Sequence, residues 1–161
     1  MIKKNFFINS SFILIIFLLD RISKIYVIYL NKKLSGSEIF SSKYLNISLI
    51  WNEGIAFGLF SFDENKFYNI LTITIIIIIF LIIVMVIKSY GLKKYLLLMI
   101  LGGAIGNVFD RVVYKAVPDF IDFHVGNFHW FIFNIADIFI TTGVIFMIIL
   151  EFIGNNKEKN S

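Results

Sequence analysis

Asp119 and Asp137 are two carboxylates of this chain that could approach each other and do acid–base chemistry, with Asp110 a rival near the same depth. Both lie in strongly apolar surroundings, and neither has an adjacent cation in sequence. Two carboxylates brought together in a partly dry site cannot both ionise cheaply, so the pair shares a proton. The ionised member can then take a proton from water, while the protonated member polarises a carbonyl and later protonates a leaving amine. Further polar groups recur in the apolar stretches: Asp20 with Lys24, Asn107 with Asp110 and Arg111, and Asn134. Other chemistries find no support. The chain has no Cys, which excludes a thiol nucleophile and thiolate metal sites. H-E-x-x-H and G-x-S-x-G are both absent. His124 and His129, beside Trp130, read as interfacial anchors, so no metal ligand is assigned and no cofactor is expected.

The elements that must position these groups are apolar. The chain of 161 residues is 58% hydrophobic, against about 45–50% for a soluble domain, so the bilayer is the expected solvent. The reading is an all-α integral membrane protein forming a single membrane domain over 1–161. It has four transmembrane helices, at about 6–30, 67–87, 95–114 and 131–153. The first could pass for a signal peptide, but no small-residue cleavage site follows it and Asp20-Arg21 interrupts the run, so it reads as a retained helix. Loops at about 31–66 and 115–130 fall on one side. Within the first, Tyr44 to Trp51 is rich in β-formers and predicts a small β element. Lys3, Lys4, Lys88, Lys93, Lys94, Lys157 and Lys159 fall on the opposite side, which the positive-inside rule makes cytoplasmic, with both termini there. The net charge of +4 is read as a topology signal, and no nucleic-acid partner is expected.

In this topology the polar groups of spans one, three and four converge at the outer face. Asp137 would lie about six residues into the fourth span, roughly 9 Å along a helix. Charged groups inside spans face a protein interior or a wet cavity. One reading makes them ion pairs that hold helices together, Asp20 with Lys24 and Asp110 with Arg111. Others make them a proton relay in a transporter, or the glue of a non-enzymatic assembly subunit. Residue chemistry alone leaves these open. Gly102 and Gly106 form a small-residue helix-packing motif.

The order of motifs resembles signal peptidase II, the lipoprotein signal peptidase family, over nearly the whole chain. The resemblance rests on Asp20-Arg21-Ile22-Ser23-Lys24, on Asn52-Glu53-Gly54-Ile55-Ala56-Phe57-Gly58, and on the run Gly102 to Arg111. Val117-Pro118-Asp119-Phe120 and Phe133-Asn134-Ile135-Ala136-Asp137 complete it. It implies a membrane aspartyl endopeptidase of the bacterial cytoplasmic membrane, active at the outer face, with Asp119 and Asp137 as the catalytic pair. Asn52, Gly54, Asn107, Arg111, Asn134 and Ala136 would line the substrate groove, with Asp20, Lys24 and Asp110 in support. Asn52 and Arg111 would bind the peptide without moving the pH profile. The implied partners are a diacylglyceryl-modified prolipoprotein cleaved just before its lipidated Cys, membrane lipid, and globomycin as an inhibitor. Pro118 departs from the apolar residue expected before the catalytic Asp.

Overall fold

The computed structural model describes residues 2–54 and 64–159. The elements run α1 (Ile2–Lys33), β1 (Phe40–Ser41), β2 (Leu45–Asn52), α2 (Glu64–Lys88), α3 (Gly91–Tyr114), β3 (Val117–Val125), β4 (Phe128–Phe133) and α4 (Ile135–Lys159). Residues 55–58 of the second motif lie outside the described residues.

Three of these helices, Tyr68–Lys88, Gly91–Tyr114 and Ile135–Ile153, are long and apolar enough to cross a membrane. The β-branched isoleucine run of α2 is a poor helix former in water, yet a helix is the simplest way for one segment to satisfy its own backbone in hydrocarbon. Its Ile73, Ile76, Ile77 and Ile78 point outward. α1 is not one of these three helices, and Asp20, Arg21 and Lys24 interrupt its apolar run. All three are buried, so the charge is withdrawn from its outer surface.

α3 is the hub, packing on α1, α2 and α4. Its glycines make this possible. A Cβ at Gly102 would come within 3.0 Å of Ile16, and one at Gly106 within 2.6 Å of the Asp20 carboxylate, so this motif seats α1. Gly103 faces the other way, where a Cβ would lie 2.5 Å from the Ala136 carbonyl of α4. Small residues thus bring polar groups of three helices within hydrogen-bonding reach. Below them Val86, Leu97, Leu98 and Leu101 form an apolar core.

The β structure is larger than the sequence predicts. All four strands form one antiparallel sheet in the order β1-β2-β3-β4. The segment 115–130, read as loop, supplies β3 and most of a hairpin. Residues 131–133, read from their apolarity as the start of the last helix, complete β4. A short apolar run is ambiguous between helix and strand, and here cross-strand pairing decides it. Pro118 fits this sheet. β3 pairs with β4 only from Ile121 onward, so at Pro118 it is flanked by β2 alone, through Trp51. Proline is tolerated where a strand lacks one neighbour.

Candidate active site

The site rests on a charged cluster. Lys24, fully buried, places Nζ 2.8 Å from Asp20 Oδ1 and 2.7 Å from Asp110 Oδ2. Arg21 bridges the same two carboxylates. Two acids and two bases therefore cancel, which is how charge is retained at this depth. Asp110 thus pairs with α1, and not with the neighbouring Arg111 as the helix-gluing reading has it. Asp20 also accepts the Ala136 N–H at 3.1 Å, fastening the start of α4. Ala136 is fully buried in that contact.

From this cluster an amide relay leads to both aspartates. Lys24 Nζ donates to Asn107 Oδ1 at 2.9 Å, and Asn107 Nδ2 donates to Asp137 Oδ1 at 2.8 Å. Asn134 Nδ2 donates to Asp119 Oδ1 at 2.6 Å and to Asn107 Oδ1 at 3.2 Å. Asn134 also caps α4. Its Oδ1 accepts the Asp137 N–H and its own N–H donates to Asp137 Oδ2, both at 3.1 Å. This reciprocal pair is a capping box with Asp in the third helical position. Asp137 therefore sits in the first turn of α4, shallower than the sequence reading, because the helix begins at Ile135.

Asp119 projects from β3 and is 3% exposed. Asn52, at the end of β2, donates to its Oδ2 at 2.9 Å and accepts the Gly54 N–H at 2.8 Å. Burial pushes the Asp119 carboxyl up to about 6, the Asn52 and Asn134 hydrogen bonds pull it down, and the nearby Asp137 charge raises it. A carboxyl near 6 is poised to hold or release a proton close to neutrality.

Arg111 lies apart from this relay. Its guanidinium sits over the Tyr68 ring at 5.7 Å, and the Tyr68 hydroxyl donates to the Arg111 carbonyl. Gly54, at φ +80°, passes so close that a Cβ there would lie 2.9 Å from Arg111 Nη1. Among the described residues the Arg111 Nε and Nη1 donors have no partner. A cavity of about 520 Å³ opens between the β3–β4 hairpin and one face of α4. Phe123, Phe128, Trp130 and Phe133 line it, and Asp137 reaches its wall.

The family follows from comparison. The chain matches the signal peptidase II family over residues 12–153. The chain belongs to that family. It is 50% identical over 157 residues to the lipoprotein signal peptidase of Pelagibacter ubique, covering 98% of this chain and 95% of that one. The lipoprotein signal peptidase of Anaplasma phagocytophilum is 39% identical over 140 residues, covering 85% of this chain and 86% of its own. A solved bacterial membrane enzyme superposes with a TM-score of 0.72 at 33% identity, over 88% of this chain and 90% of that one. The family is one of peptidases, so the chain is an enzyme of peptide hydrolysis.

Two features of this signal peptidase II chain escaped the sequence reading. Arg21 is a full member of the charged cluster, and its adjacency to Asp20 was the available signal. Asn134 links both aspartates; an Asn three residues before an acid, just ahead of an apolar run, marks a capping box.

Proposed function

We propose that this chain is a lipoprotein signal peptidase of the bacterial cytoplasmic membrane, working as an aspartic endopeptidase on diacylglyceryl-modified prolipoproteins. The observation that carries the mechanism is the joining of Asp119 and Asp137, from sheet and helix, through Asn134, whose side-chain amide bonds the first and whose backbone N–H bonds the second. In the proposed reaction one aspartate, ionised, takes a proton from water as the oxygen attacks the carbonyl just before the lipidated Cys. The other, protonated, hydrogen-bonds that carbonyl oxygen, and the tetrahedral intermediate collapses as the leaving amine is protonated. Asn107 and Asn134 hold the pair, while Asn52 and Arg111 face the peptide. The cluster of Asp20, Arg21, Lys24 and Asp110 keeps α1, α3 and α4 in register beneath them.

In this reading α1 is a fourth span, its charges turned inward onto α3. The termini and the Lys88 to Lys94 turn face the cytoplasm, and the sheet lies at the outer face. Lipid tails anchor the substrate at about 0.8 kcal/mol per buried CH₂, which suits a site at the membrane surface beside an aromatic cavity. Globomycin is the expected inhibitor.

The test is cleavage of a diacylglyceryl prolipoprotein by the purified enzyme. A mature product beginning at the lipidated Cys, blocked by globomycin and absent with unlipidated substrate, is expected. Equal cleavage of unlipidated substrate, or cleavage by a folded Asp119→Asn, Asp137→Asn double variant, would overturn the reading.

A further inference from the structure

The β3–β4 hairpin carries a second cluster of polar side chains that the reaction does not use. Its turn is short, from Val125 to Phe128, and pairs His124 directly opposite His129. The two imidazole rings lie 5.0 Å apart, 21° from parallel. Asp122 is two residues before His124, and a register shift between them brings its carboxylate 2.9 Å from His129 Nδ1. One ligand atom from each of the three residues fits within 4.8 Å of the others.

We infer that Asp122, His124 and His129 form a binding site for a divalent transition-metal ion, with Zn²⁺ the best-suited ion. Two imidazole nitrogens and one carboxylate oxygen are a borderline donor set that suits zinc and disfavours calcium or magnesium, which take all-oxygen shells. Three protein ligands leave a fourth position for water. Tetrahedral bonds of ~2.0–2.1 Å put ligand atoms about 3.3 Å apart, so atoms within 4.8 Å of one another need a contraction of at most about 1.5 Å. His129 can supply it, because its side chain is 52% exposed, and the same exposure admits the ion.

Two observations favour a ligand here over a plain hydrogen-bonded clasp. His124 Nδ1 is buried with no hydrogen-bond partner among the described residues, and a buried nitrogen left unpaired is costly. Asp122 is buried too, and among the described residues its carboxylate is held by the imidazole of His129 alone. A cation between them satisfies all three groups at once. The site is separate from the aspartate pair but adjoins its approach: His124 lines the same cavity that Asp137 reaches. A bound ion would cross-link the hairpin that forms one wall of that cavity.

The experiment is titration of Zn²⁺, and of Co²⁺ as a spectroscopic probe, into the purified full chain in detergent, stripped with chelator and carrying no polyhistidine tag. The expected result is saturable uptake of one ion per chain in the micromolar range, with the visible absorption of low-coordinate Co²⁺. His129→Ala should abolish it, and His124→Ala should weaken it by about tenfold or more. Thermal melting checks that each variant folds; if His124→Ala does not, His129→Ala, altering an exposed side chain, carries the test. The Asp119→Asn, Asp137→Asn double variant should bind the ion unchanged. No saturable uptake, uptake surviving loss of His129, or uptake lost with the aspartate pair would overturn the assignment.

Discussion

Replacing Asn52 with Ala tests how the sheet tunes the site. From sequence, Asn52 is a peptide-binding residue whose loss lowers turnover evenly across pH. The structure adds a second role, because Asn52 donates to Asp119 Oδ2 at 2.9 Å. A hydrogen bond to a charged group is worth about 1.5–3 kcal/mol, and one pKa unit is about 1.36 kcal/mol. The donor stabilises the ionised form, so its removal raises the Asp119 pKa by about one to two units, starting from about 6. The sign for stability follows the same carboxyl. Its folded pKa is raised from 3.8 to about 6, so the stability it contributes is present below pH 3.8 and is lost as pH rises through about 6. That loss is about 3 kcal/mol at 1.36 kcal/mol per unit, and in Asn52→Ala it extends to higher pH. The assay is kcat/KM against pH with lipidated substrate, using Asn52→Ala shown to fold by thermal melting. The limb nearest pH 6 should move upward, as an apparent value of the coupled pair. A uniform drop with an unmoved limb would refute the tuning role and leave Asn52 as a peptide ligand alone.

Asp119→Asn and Asp137→Asn should each nearly abolish cleavage in a folded protein, since an amide cannot exchange the proton; single-turnover assays with thermal melting check this. Lys24→Met should cost about 3–5 kcal/mol, because it leaves two buried carboxylates with Arg21 as their one remaining cation and so one buried negative charge uncompensated, and this reads as a lowered melting temperature in detergent. Gly106→Ala places a Cβ 2.6 Å from the Asp20 carboxylate, so that carboxylate, with its ion pairs to Lys24 and Arg21, must shift. The overpacking should cost about 1–3 kcal/mol, again by thermal melting. Leu92→Cys, at an exposed side chain in the first turn of α3, should resist impermeant thiol reagents on intact cells and react after lysis; labelling from outside would invert the topology.

The apolar helices and the acidic candidates were legible from local pattern alone. A run such as Ile75 to Ile79 has no soluble role that its neighbours support, and an aspartate in apolar surroundings is costly enough to mark itself. The glycines at 102 and 106 likewise announced close packing. Sequence spacing could not say which cation meets which carboxylate. Asp110 stands beside Arg111 in the chain, yet it bonds Lys24 and Arg21 from another helix. Helix seating decides that, because Gly102 and Gly106 admit α1 to the face where Asp110 points. The hairpin was hidden for a related reason. Residues 128–133 are apolar enough for either a helix start or a strand, and only pairing with β3 settles the choice. That pairing also places Asp119 beside Asn52 and Asn134, and sets His124 opposite His129. Such contacts depend on strand register and helix approach, quantities that non-local hydrogen bonds and packing determine and that no short window of sequence contains.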